Sequence, residues 1–175
     1  MDRLANLLGV QALALTDRLL TAGPGALTEL PSSERAALVT LLAHPGQPAS
    51  SLGDVLGLTS SGITRLLDRL AAAGWVTREK GLDARSRRIG LTPAGRRRAR
   101  AVLRARQAAM SEVLDRLSAD DREELERLLD LVVAGLADAR APALRVCRLC
   151  DRAACASAGR GCPLEHTVTP AGVDG

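Results

Sequence analysis

Apolar positions along the chain fall into runs with helical spacing, separated by glycine, proline and polar stops. Leu4, Leu7, Leu8, Leu15 and Leu19 make a stripe on a helix over residues 2–22, which Gly23-Pro24-Gly25 halts. Ser32-Ser33-Glu34 opens a second helix through Ala43, broken by the stretch from His44 to Pro48. Ser51 and Asp54 have the spacing of a capping box for a short third helix ending at Gly57. Thr59 then caps a fourth helix on which Ile63, Leu66, Leu67 and Leu70 recur at i, i+3, i+4 and i+7, before Gly74. Ser61, Thr64, Arg65 and Asp68 occupy another face of that helix. Trp75 to Arg78 and Ile89 to Leu91 suit two strands around a basic, turn-prone segment, Gly81 to Arg88. Thr92-Pro93 starts a long helix. Ser118 and Asp121 form a further capping box. The helix they open carries Leu125, Leu128, Leu129, Val132, Val133 and Leu136 opposite a charged face, and Pro142 is expected to end it.

Two short helices, a strand, a basic hairpin and a return strand describe a winged helix-turn-helix. The fourth helix can enter a DNA major groove while the hairpin reaches the adjacent minor groove. The expected class is therefore mainly α, with a small β-hairpin wing and a helical dimerisation region. Four segments follow: an N-terminal dimerisation helix and linker (1–31), the winged helix-turn-helix (32–95), C-terminal dimerisation helices (96–141) and a cysteine-rich tail (142–175) with a disordered end after His166. The leucines of the first and last helices need cover, from the same chain or from a second copy.

Charge sharpens this picture. The net charge of the 175 residues is only +4, but residues 60–106 hold 13 Lys+Arg against 3 Asp+Glu. A basic block inside an otherwise acidic chain marks a localised polyanion-binding surface. The core must be aliphatic, because Trp75 is the only aromatic residue. The N-terminal apolar run, interrupted by Asn6, Gln11, Thr16, Asp17 and Arg18, is neither a signal peptide nor a membrane span. A cytoplasmic protein without membrane association is expected. No Ser/His/Asp set, phosphate loop or helical His-Glu-x-x-His motif is found, so an enzyme is not expected.

The segments Gly62-Ile63-Thr64-Arg65-Leu66-Leu67-Asp68-Arg69-Leu70, Gly74-Trp75-Val76, Asp83-Ala84-Arg85-Ser86-Arg87-Arg88 and Leu91-Thr92-Pro93-Ala94-Gly95 carry a resemblance. With the order of helices to about residue 140, the chain resembles the MarR (multiple antibiotic resistance regulator) family of winged-helix transcription factors. The resemblance implies a homodimer that represses a neighbouring operon from a roughly palindromic operator and releases it when an effector binds. Its first and last two helices would intertwine, with Leu4, Leu7, Leu8, Leu125, Leu128, Leu129, Val132, Val133 and Leu136 at the interface. By position, Ser60, Ser61, Thr64 and Arg65 would face base edges and Arg69 a phosphate. Arg85 would be the minor-groove residue at the wing tip, with Asp83 bracing its loop.

Residue chemistry supports this reading separately. Arg65 can make two hydrogen bonds to guanine, and the short hydroxyls of Ser61 and Thr64 permit close approach. Arg87 and Arg88 alternate on their strand, so at most one is expected to face phosphate while the other can pair with an acid such as Asp68 or Glu79. For Asp68 itself an ion pair within the protein is expected over a base contact. The scarcity of aromatics argues for a non-aromatic effector or for sensing in the tail.

The tail lies beyond the resemblance. Its pattern is Cys147-x2-Cys150-x4-Cys155-x6-Cys162, with His166 as a possible substitute for Cys162. Four thiolates suit tetrahedral Zn²⁺. A thiol–disulfide switch and an iron–sulfur cluster remain open, the latter with spacings unlike the common bacterial run. The alternative function for the whole chain is a dimeric metal or iron–sulfur carrier that does not bind DNA. His44, beside Pro45, reads as an exposed loop residue rather than a ligand.

Overall fold

The computed structural model describes residues 2–23, 29–80 and 87–167. The expectations for Asp83, Arg85 and the chain after His166 therefore fall outside the described residues, except for Thr167. Helix α1 spans Arg3–Thr21, α2 Ser32–Ala43, α3 Ala49–Leu56, α4 Ser60–Ala72, α5 Pro93–Leu114, α6 Ala119–Ala134, α7 Arg140–Val146 and α8 Arg152–Cys155. Strand β1 is Gln47–Pro48, β2 Val76–Lys80 and β3 Arg87–Leu91, in one antiparallel sheet of order β1-β3-β2. The result is mainly helical, with a small sheet and a winged helix-turn-helix at its centre.

The caps show why these boundaries arise. Thr59 accepts from the Gly62 amide, Thr92 from Gly95 and Ser118 from Asp121, each satisfying an otherwise unpaired helix N–H. Gly57 closes α3 in the left-handed region, at φ +65°. Two sequence expectations are corrected. The Ser51/Asp54 capping box does not form, because Pro48 flanks a helix that starts earlier, at Ala49. Pro142 does not end the long acidic helix, which stops at Gly135. Instead it lies in the first turn of α7, where its missing N–H costs no hydrogen bond. Strand β1 lies within the stretch from His44 to Pro48 that breaks the helices. It pairs Gln47 with Ile89 and Pro48 with Arg88, making β3 the middle strand.

The main core joins α2, α3, α4, the sheet and α5. Leu38, Leu41, Leu52, Leu66, Leu70 and Ile89 are its largest fully buried side chains. All four apolar positions read from the α4 spacing are buried. Helices α1 and α6 bury no residue at all. Leu4, Leu7, Leu8, Leu128, Leu129, Val132 and Leu136 are exposed. Leu125 and Val133 are half-buried, and Val133 packs on a second small cluster of Ala137, Ala143 and Leu164. Arg35 ties α1 to this body, donating from Nε to the Leu30 carbonyl at 2.9 Å and from Nη1 to the Leu19 carbonyl at 3.0 Å. No helix among the described residues is long and apolar enough to cross a membrane.

Candidate nucleic-acid interface and thiol cluster

Burying Ile63, Leu66, Leu67 and Leu70 turns the opposite side of α4 outward, leaving Ser60, Ser61, Thr64, Arg65 and Arg69 exposed. The Thr64 hydroxyl donates to the Ser60 carbonyl at 2.8 Å. Its oxygen is thereby left as an acceptor toward any group facing the helix. The Ser61 hydroxyl lies 3.3 Å from that of Thr59. These bonds hold two of the predicted base-facing side chains close to the helix, so that Arg65 is the longest of the four.

Arg69 is placed more narrowly than the spacing implied. Its Nε donates to Glu34 Oε1 at 2.7 Å, while 56% of its side chain remains exposed and Glu34 is nearly buried. Charge-assisted bonding to a buried acid fixes the guanidinium at the edge of α4 with its outer side still open. Sequence reasoning passed over Glu34 as a mere helix-start acid. Asp68 forms the expected internal ion pair, with Arg78 at 2.6 Å, while the Arg87 side chain lies outside the described part of the chain. Arg88 is exposed and stands opposite Glu79 in the strand register, and Arg87 stands opposite Lys80.

The wing is anchored at its base. Thr92 donates its hydroxyl to the Gly74 carbonyl at 2.7 Å, and its amide donates to the Trp75 carbonyl at 3.0 Å. Arg96 Nη1 reaches the Leu91 carbonyl at 2.6 Å, and the Arg98 guanidinium lies 5.1 Å from the Trp75 ring centroid. Two arginines of the basic block thus brace the wing rather than face a partner.

A cavity of about 520 Å³ opens between α1 and α5, lined by Arg18, Thr21, Arg104, Glu112 and several alanines. Arg18 and Glu112 pair across it at 3.6 Å.

The tail folds back onto the DNA-reading unit. Arg145 covers Gly57, where a Cβ would fall 2.0 Å from its Nη2. The Thr40 hydroxyl donates to the Arg148 carbonyl at 3.3 Å, and Leu149 packs against the main core. All four cysteines line one cavity of about 520 Å³ between α2, α7 and the turns that follow α7. Their thiols form one interacting group, Cys147 with Cys150, Cys155 and Cys162, and Cys155 with both Cys150 and Cys162. The hydrogen bond from Cys150 holds the Cys147 pKa below its ordinary value. The same bond, with burial, raises that of Cys150. Burial, then the charges of Cys150 and Cys162, push Cys155 up to about 12. Among the described residues no three His, Cys, Asp or Glu side chains already stand in metal-holding geometry.

His166 lies apart from this group. Its ring nitrogens sit 3.1 Å from the carbonyls of Pro163 and Ala137, and it does not line the cysteine cavity. His44 does line it, with Nδ1 3.4 Å from Arg152. Burial, with Arg152 and Arg140 nearby, holds its pKa below the ordinary value. The unfolded chain therefore takes up this proton at higher pH than the folded one. The resulting stability is complete above the unfolded pKa of about 6.5 and is lost as pH falls through the folded value. Thermal melting across that range should fall less steeply with acid in His44→Asn than in the parent; equal slopes would exclude His44 as the cause.

An outward polar helix face and a wing braced at its base make up a winged helix-turn-helix, the fold found in many transcription regulators. Residues 30–87 match the model of the MarR family. Solved structures agree. A probable transcriptional regulator from Pseudomonas aeruginosa is 29% identical, with 74% of this chain and 99% of that one covered at a TM-score of 0.54. A Mycobacterium tuberculosis MarR family protein, solved with salicylic acid, is 27% identical over 75% and 97% at 0.58. MepR of Staphylococcus aureus, a transcription regulator of the multidrug efflux pump MepA, is 19% identical over 76% and 98% at 0.62, a likeness of fold. Comparison with curated proteins finds no match.

Proposed function

We propose that the protein is a homodimeric, sequence-specific repressor that reads a roughly palindromic operator with α4 and the wing. The observation that carries this reading is the division of α4 into a buried apolar side and an exposed side bearing Ser60, Ser61, Thr64 and Arg65. Arg65 reads a base edge, while Arg69, held by Glu34, and Arg88 meet phosphates. A mobility-shift titration against the upstream region of its own gene tests this. A salt-sensitive shift that unrelated DNA does not produce is expected. Equal binding to both DNAs, or none, would reject it and favour a metal carrier.

The second copy is supported by the helices that bury nothing in one chain. Leu4, Leu7 and Leu8 on α1, Leu128, Leu129 and Val132 on α6 and Leu136 just after it would leave a broad apolar surface in water. Two reading heads can then address half-sites about one helical turn apart. Leu8→Glu combined with Leu136→Glu should yield monomers by sedimentation while circular dichroism keeps the helical content. An unchanged dimer would move the interface elsewhere.

A small anionic effector fits the cavity between α1 and α5. Arg18 and Arg104 line it, and its volume is within the usual range of about 300–1,000 Å³ for ligand sites. The M. tuberculosis relative bound to salicylic acid gives a probe to try. A rise in melting temperature that is lost in Arg104→Ala is the expected result.

A further inference from the structure

The tail holds chemistry that DNA reading does not use. It reaches from the reading head to α6: Arg152 lies against His44 at the end of α2, Arg145 covers Gly57 at the end of α3, and Arg160 pairs with Glu126 of α6 at 3.1 Å. Yet among the described side chains of residues 140–167 only Ala143, Leu164 and Thr167 are buried. Three small or medium side chains do not hold so many turns in place in a segment of this size.

The four cysteines have the means to do so. The Cys147–Cys150 turn closes with an amide-to-carbonyl bond of 2.8 Å, and a second turn, Cys162 to Glu165, closes at 2.8 Å. Each turn delivers a thiol to the same cavity, and Cys155 reaches it from the end of α8. Arg140, Arg152 and Arg160 line that cavity too. Next to it, Arg106 presents a buried Nε with no hydrogen-bond partner among the described residues, and its charge acts on Cys150. Cations converging on four thiols suit a site whose occupied form is anionic.

We propose that Cys147, Cys150, Cys155 and Cys162 together bind one thiophilic metal centre, which locks the tail as a strut between the DNA-reading head and α6. The chemistry required is four thiolates around a core of charge 2+, met by a single Zn²⁺ or by a cuboidal iron–sulfur cluster. With Zn²⁺, four sulfur–metal bonds form and the thiol protons pass to solvent. The product carries a charge of −2, facing Arg106, Arg140, Arg152 and Arg160. All four cysteines already line the one cavity in which the centre would sit. Metal binding then contributes folding free energy to a segment that has little apolar surface of its own. Because the strut touches the ends of α2 and α3, loss of the centre frees the helices that lead into α4.

The test uses the full chain, purified anaerobically without an affinity tag, and determines zinc, iron and acid-labile sulfide together with the thermal midpoint. One zinc per chain, or about four irons with matching sulfide and visible absorption, supports the centre and identifies its core. Removing the metal from the intact protein with a chelator should lower the midpoint, and Cys150→Ser should lower metal content roughly tenfold or more. Because a cysteine variant can fail to fold, the chelator titration of the parent stands as the second measurement. Metal far below one centre per chain, with four freely titrating thiols in the folded protein, overturns the proposal. Arg65→Ala serves as the control. It should keep its metal in full, so loss of operator selectivity with intact metal content concerns the DNA reading alone.

Discussion

Arg65→Ala should remove much of the protein's preference for its operator over random DNA. A bidentate arginine–guanine contact is worth about 1–3 kcal/mol of discrimination, or roughly five- to 150-fold in the affinity ratio. The effect should fall on the operator and leave non-specific binding nearly intact, because the phosphate contacts are made by other residues. Arg69→Ala should behave differently. It removes the partner of the nearly buried Glu34, so both binding and stability should suffer. Arg88→Ala should weaken both DNAs evenly and flatten the salt dependence. Competition titrations at two salt concentrations distinguish these cases. An unchanged specificity ratio in Arg65→Ala would mean that α4 is docked in another register.

The largest stability effect is expected at Gly95, in the first turn of α5. A Cβ there would lie 2.0 Å from the Trp75 carbonyl oxygen and 2.9 Å from its carbon. Neither atom can give way locally, because the same carbonyl accepts the Thr92 amide at the base of the wing. Gly95→Ala must therefore push α5 away from the sheet, at a cost of about 3 kcal/mol or more. Gly62→Ala is a useful contrast. Its nearest neighbour would be the Thr59 hydroxyl at 3.2 Å, a side-chain atom that needs to give only a few tenths of an ångström while keeping its cap bond to the residue 62 amide, and alanine favours the helix. Denaturant melts should show a large loss for the first and little change for the second. Comparable melts would mean that the α5–wing contact is looser than its geometry implies.

The body of this fold was legible in the chain because its signals are local. The spacing of Ile63, Leu66, Leu67 and Leu70 gave the reading helix and its buried side together, and Thr59, Thr92 and Ser118 marked helix starts by their own hydrogen bonds. Strand β1 escaped because two residues carry no periodicity; only pairing with Ile89 and Arg88 makes them a strand. Glu34 and Asp68 show the same limit in electrostatics. Their partners, Arg69 and Arg78, are selected by the packing of α2 on α4 and of β2 beside α4, not by sequence distance. For the tail, cysteine spacing speaks of a metal or of thiol chemistry and says nothing of what the segment packs against. Its contacts with Thr40 and His44 span 108 positions. No local pattern encodes such a contact.

The single tryptophan has an optical consequence. Trp75 is half-buried at the hinge of wing and α5, beneath Arg98, in a chain with no tyrosine or phenylalanine. Its emission is therefore that of one fluorophore in one place. A guanidinium over the ring shifts or quenches that emission, and drawing Arg98 toward a DNA backbone would change it. Operator binding can thus be followed in unlabelled protein from the spot where the reading head meets the helical body, with nothing else in the chain contributing to the signal.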